Sequence, residues 1–151
     1  MIYQIVDAIV KQLESDLSDY TTLNPDAYYK YFPTTRPTNT WIAVVPVDRG
    51  GAEFEVGQSL PTNFEYSINI VIGRNNADID QGLEDLEVLE RRVYKSIADQ
   101  TTINSLRDTT DMDEQVLDFK VLGTSYSRIN DNNLMLNTAT IQTRVRVSLN
   151  A

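Results

Sequence analysis

Cysteine and histidine are both absent from this chain of 151 residues. Their absence removes thiolate nucleophiles, Ser-His triads, zinc fingers and imidazole acid–base chemistry together. Disulfides are excluded too, and at this length none is needed, because a chain of this size buries a core of its own. Long apolar runs are missing as well. The longest, Trp41 to Val45 and Ile70 to Ile72, are strand-sized and far short of the roughly 20 apolar residues of a membrane-spanning helix. The first residues carry no basic stretch ahead of an apolar core, and Asp7 and Lys11 interrupt the pattern. An amphipathic helix is therefore expected there, not a signal peptide, and with it a place in the cytoplasm. Positive charge is the last scarcity: 13 basic residues stand against 22 acidic ones, a formal charge of −9. The cations are scattered from Lys11 to Arg146, so no basic face is set up to hold a polyphosphate backbone.

What is present is a pattern for one α+β domain spanning 1–151. The strongest signal lies between Asp78 and Gln100, where Ile79, Leu83, Leu86, Leu89, Val93 and Ile97 recur at spacings of three and four and form one stripe of a helix. Asp78 is placed as its N-cap with Gln81 closing a capping box, and Glu87 and Arg91 stand one turn apart in the supportive order. Ile2, Ile5, Val6, Ile9, Val10, Leu13 and Leu17 make a second stripe, with Asp7 and Lys11 paired on the outside. From Asp19 to Asn39 the chain carries Pro25, Pro33 and Pro37 and reads as a long loop. Trp41 to Val45 is a buried strand, with Pro46 at its end or on an edge. Phe64 to Ile72 alternates, with Phe64, Tyr66, Ile68, Ile70 and Ile72 turned to the core.

Between these strands, Asp48 to Asn63 contains Gly50, Gly51 and Gly57 and an alternating Glu53-Phe54-Glu55-Val56, which predicts a long loop or hairpin extension. Beyond the central helix, Thr101 to Arg107 suggests a short helical turn and Asp108 to Glu114 an acidic connector. Leu117, Phe119 and Val121 then alternate with Asp118 and Lys120. Gly123 marks a bulge, and Tyr126 and Ile129 continue the apolar side in shifted phase. Asn130 to Asn133 is a turn cluster, and Ala139, Ile141, Thr143, Val145, Val147 and Leu149 share a face of the last strand. The order is α-β-β-α-β-β: an antiparallel four-stranded sheet with both helices on one face.

No constellation here carries chemistry. Asp108, Asp111, Asp113 and Glu114 lack the glycine and distal glutamate of a calcium loop, so a solvated connector is the better account. Asp78 and Asp80 open a helix, whose positive end welcomes carboxylates without a metal. Gly50-Gly51 has no phosphate-cradle pattern around it. Arg144 and Arg146 share a strand face, where pairing with neighbouring carboxylates is expected. Tyr28, Tyr29, Tyr31 and Phe32 could stack bases, but with only Lys30 and Arg36 nearby they suit burial or a protein interface better. Two carboxylates alone suffice for glycoside hydrolysis, and nothing fixes which pair would serve. A small-ligand module built on the tyrosines is also open.

The element order, the opening helix Met1-Ile-Tyr-Gln-Ile-Val-Asp-Ala-Ile-Val, the glycine-bearing loop after Val47 and the closing hairpin together resemble the tail terminator (tail completion) proteins of long-tailed bacteriophages. The resemblance spans nearly the whole chain and rests on order and length, so no family residue is carried over. It implies a non-enzymatic virion protein, without cofactor or metal, assembled in the bacterial host cytoplasm. It further implies a homo-oligomeric hexameric ring that caps the tail tube protein, stops tube growth and offers a joining surface to a head–tail connector protein, with DNA as passing cargo and no membrane contact. The neighbouring role of a head–tail adaptor or neck protein is the alternative within the same class. On this reading Tyr28, Tyr29, Tyr31, Phe32, Asp48, Arg49, Glu53, Phe54 and Glu55 are the expected contact residues toward other subunits or the tube. Some of Asp48, Glu53, Glu55, Asp108, Asp111 and Asp113 would face an acidic passage.

Overall fold

Both apolar stripes become helices: α1 (Ile2–Leu17) and α2 (Ile79–Ala98). The computed structural model describes residues 2–33, 39–53, 63–76, 79–98, 114–131 and 134–149. The strands are β1 (Ala27–Tyr29), β2 (Thr40–Glu53), β3 (Asn63–Asn76), β4 (Glu114–Asp131) and β5 (Leu134–Leu149). They form a five-stranded sheet in the order β1-β2-β3-β5-β4. All neighbours are antiparallel except β1, which runs parallel to β2. The expected four-stranded antiparallel sheet is therefore corrected to a five-stranded mixed one. The added strand lies inside the supposed loop after α1. Asp26 holds it in place, its N–H donating to the Thr40 carbonyl at 2.8 Å while its carboxylate accepts from the Thr40 N–H at 3.3 Å.

One face of the sheet carries both helices. Ile5, Ile9, Leu13 and Leu17 of α1 and Leu86, Leu89, Val93 and Ile97 of α2 are buried in one core with Ile42, Val44, Ile68, Ile70, Ile72, Ile141, Val145 and Val147. Two side chains of the expected stripes depart from this. Leu83 is 40% exposed and Tyr126, on β4, is 57% exposed; β4 is the last strand of the sheet among the described residues. Thr143 stands in the apolar row, and its hydroxyl donates to the Ile68 carbonyl across the β3–β5 ladder at 2.7 Å. The helices are tied to each other by the Asp16 carboxylate, which accepts from Ser96 of α2 and from Gln12 of its own helix. Both predicted helix pairs form, Lys11 to Asp7 at 2.9 Å and Arg91 to Glu87 at 2.6 Å.

Pro46 lies inside β2, not at its end, but on its edge. β1 pairs only with Trp41, Ile42 and Ala43, and the register shifts just past Pro46, so the missing N–H interrupts no further ladder among the described residues. In β4 the register shifts at Leu122, beside the predicted Gly123 bulge, and again at Leu117. The Asp78 cap, the turn at 101–107, residues 108–113 of the acidic connector and residues 132–133 of the last turn lie outside the described residues.

Candidate functional site

The aromatic run splits by strand alternation. Tyr28 turns toward the helices and packs at the margin of the main core. Burial there, with the Glu14 carboxylate adding to it, pushes its phenol up to about 12. Tyr29 turns to the opposite face, where Trp41, Ala43 and Val71 form a small second core. Tyr29 meets Trp41 edge-on at 6.4 Å and Tyr31 at 5.7 Å, and Phe32 meets Trp41 at 6.1 Å. This patch is half internal: Trp41 is buried, while Tyr31 and Phe32 remain 59% and 57% exposed. Lys30, between Tyr29 and Tyr31, pairs back to Asp7 of α1. Together with Lys11 it holds the Asp7 carboxyl below its usual range.

The second expected group lies along the free stretch of β2. Asp48 and Arg49 are exposed, and the Arg49 guanidinium sits 4.7 Å from the Phe64 ring centroid as a cation over its face. Arg49 also helps line an open hollow of about 480 Å³ at the start of α1, together with Ile2, Tyr3, Pro46, Val47 and Tyr66. Glu53 ends β2 with its backbone opposite Asn63. Phe54 and Glu55, like Asp108, Asp111 and Asp113, lie outside the described residues. The aromatic run and the β2 stretch thus share one edge of the sheet.

Along β4 and the flank of α2 runs a third exposed strip. Thr124 donates to Glu90 at 2.9 Å, fixing which side of α2 faces β4. Leu83, Glu87 and Tyr94 stand seven and three residues before Glu90 and four after it, so helical geometry puts them on that side. Partial burial of Tyr126, then the Glu90 and Glu87 carboxylates, raise its phenol above the ordinary value, with Arg91 opposing. Arg144 and Arg146 behave as expected of cations in an acidic chain. Arg144 lies 3.5 Å from Glu65, and Arg146 stands between Glu65 and Asp118 in cross-strand register.

A polar row escaped the sequence reading. Thr40, Arg74, Asn137 and Arg128 are consecutive register partners across β2, β3, β5 and β4. Arg74 donates to the Thr40 hydroxyl and pairs at 3.1 Å with Asp85 of α2, which also accepts from Gln81. Arg128 donates to the Asn137 side chain at 3.2 Å. The row borders the apolar core and ties α2 to β3 through Asp85. It had one visible signal, since Thr40, Arg74 and Asn137 occupy in-phase positions at the ends of apolar alternations. Among the described residues no three acidic side chains gather as a metal site. Asp16 and Asp19 do share a hollow of about 210 Å³, with Arg92 and Lys95 on its wall and Asp16 engaged between the helices.

No family model matches this chain, and no curated protein matches it. Among solved structures it is similar to a chain of the virion of a native gene transfer agent (GTA) particle. The identity is 14%, the TM-score 0.49, and the match covers 95% of this chain and 97% of that one.

Proposed function

We propose that this protein is a non-enzymatic virion assembly subunit of the tail-terminator kind: a ring that caps the tail tube, ends its polymerisation and offers the surface for head joining. The observation that supports this reading best is the distribution of exposed apolar side chains. Of the nine large ones among the described residues, Tyr3, Tyr31, Phe32 and Val47 lie at the β1–β2 edge, and Leu83, Tyr94, Leu122 and Tyr126 at the β4 edge. Only Val88 belongs to neither. Two unlike adhesive edges on one subunit suit head-to-tail association, which closes into rings when the rotation permits. A subunit of formal charge −9 suits a passage through which DNA slides without sticking.

The test is co-purification. The protein, incubated with the tube protein and separately with the portal-side adaptor of the same virus, should bind tube ends and shorten tubes polymerised in its presence. Capture by the adaptor with no effect on tube length would transfer it to the neck. A mass of one chain at every concentration and salt level, with no capture by either, would dismiss an assembly role and favour a small ligand-binding module.

A further inference from the structure

Among the described residues, Leu23 and Asn39 are the two other than glycine that adopt a positive φ, at 57° and 59°. They bracket the stretch that carries β1 and the aromatic run. Leucine is seldom found in this left-handed region, and a residue kept there marks a turning point that its surroundings impose. Both turning points are anchored on the side of the main body. Just before the first, the Arg92 guanidinium of α2 donates to the Thr22 carbonyl at 2.6 Å and lies 4.1 Å from the Tyr20 ring centroid. At the second, the Asn39 carbonyl accepts from the Asn75 N–H of β3 at 2.9 Å.

Between the anchors the hold is light. Every residue from 18 to 33 is exposed or half-buried, whereas Ile68, Ile70 and Ile72 of β3 and Ile141 and Val145 of β5 are fully buried. β1 has three residues, sits at the edge of the sheet and makes the one parallel pair among the described strands, the slightly weaker kind of pairing. Its other ties are the Asp26 exchange with Thr40, the solvent-accessible pair of Lys30 with Asp7, the half-buried Tyr28 at the core margin, and the edge-on contacts of Tyr29 and Phe32 with Trp41. Few buried apolar contacts and exposed hydrogen bonds define a segment that opens well below the free energy of global unfolding. We infer that residues 24–32 are a hinged strap, which lifts as a unit about Leu23 and Asn39 and uncovers Trp41 and the edge of β2 over residues 40–43. The fold thus keeps a concealed strand edge, and an uncovered edge is a template for pairing.

The experiment is native-state hydrogen exchange on the full chain, followed by NMR, with each rate taken relative to its unfolded value. The Trp41 indole is 1% exposed and its N–H is buried with no acceptor, so its exchange reads the lifting of its cover and not the breaking of a bond. Thr40 points its N–H at Asp26 across the β1 edge, and strand alternation turns the Ile42 N–H the same way while those of Trp41 and Ala43 face β3. The Trp41 indole and the Ile42 amide should exchange together, about tenfold or more faster than the amides of Ile70 and Ile141, while the Ala43 amide stays slow. Asp26→Ala removes one clip and should speed the indole and Ile42 by about fivefold, the worth of one hydrogen bond, with Ile70 and Ile141 unchanged. Lys30→Met, at an exposed position, takes its place should that variant misfold. An indole that exchanges no faster than the Ile141 amide would tie the strap to global unfolding and overturn the inference. Fast exchange confined to residues 24–32, with the indole and Ile42 as slow as Ile70, would overturn it too, since that is fraying without release.

Discussion

The indole of Trp41 lies against the backbone of Gly73, its register partner on β3, so closely that a Cβ built on Gly73 would stand 2.0 Å from the indole Cε2. Side chain and glycine make one shape: the ring occupies the space that any other residue at 73 would fill. Tyr29 and Phe32 meet the same indole edge-on.

Gly73→Ala should therefore destabilise the fold by overpacking, by about 1–3 kcal/mol, read as a lowered denaturant midpoint with unchanged slope. In a Trp41→Leu background the same substitution should cost much less. Because Trp41 is the sole tryptophan, its emission should shift to the red in Gly73→Ala as the ring leaves its bed. Equal costs in both backgrounds would show that the contact is not what constrains residue 73.

The ion pair of Arg74 and Asp85 predicts a contrast within one helix. Asp85 is buried and Arg74 only about one-fifth exposed, so Asp85→Ala leaves a guanidinium poorly solvated and should cost about 2 kcal/mol, below the figure for a fully buried pair. Glu87→Ala breaks an exposed pair on the same helix and should cost under about 0.5 kcal/mol. Arg74→Met combined with Asp85→Leu should recover most of the loss. Chemical denaturation of these variants measures all of this, and a double substitution no better than Asp85→Ala would point to lost packing instead of a stranded charge.

Periodicity made the helices, the long strands and the inward faces of β3 and β5 readable, because each is a local pattern repeated over several turns or pairs. β1 was not readable: Ala27 to Tyr29 is too short to alternate, and it is fixed by Asp26 reaching Thr40, a contact of 14 residues' separation. The polar row left only the in-phase positions of Thr40, Arg74 and Asn137 as a trace, since these residues and Arg128 meet only through strand register. Leu83 and Tyr126 have the right period yet stay exposed, for periodicity reports a face and not where the sheet beneath it stops. The aromatic run was read as burial or interface, and Tyr28 packs at the margin of the core while Tyr31 and Phe32 stay exposed. Its division between two faces of the sheet needed the strand.

Stability should fall at both ends of the pH scale, with named residues at each end. Asp7 has a folded-state carboxyl below its ordinary 3.8, held there first by Lys30 and then by Lys11. Its contribution is complete above the unfolded value and is lost as pH falls through the lowered one. The pair is solvent-accessible, so Asp7→Asn should cost less than about 1 kcal/mol near neutrality and flatten the acid limb. Tyr28 is the opposite case. Its phenol is raised from 10.0 to about 12, so the unfolded chain ionises first and stability is lost as pH rises through that interval. Tyr28→Phe should weaken the alkaline limb, and thermal unfolding of both variants across pH tests the pair; an unchanged alkaline limb would remove Tyr28 from the account.

Glu53 and Asn63 are register partners, so the segment 54–62 can be replaced by a two-residue Asn-Gly turn joining them directly. The ladder between β2 and β3 keeps all its partners in such a variant, and the hollow beside Val47 is untouched. Its thermal midpoint should accordingly stay within a few degrees of the parent, and the sedimenting mass of the assembly should persist. If the proposed ring reading holds, what should be lost is capping, because with the two edges engaged in joining subunits the segment carrying Phe54 and Glu55 would be the part left to reach the tube. Tubes polymerised with the shortened protein should grow to uncontrolled length while those grown with the full chain stop. If the shortened protein still arrests growth, the tube contact belongs elsewhere, with the exposed Tyr31 and Phe32 next in line; if its assembly falls to single chains, the segment joins subunits after all.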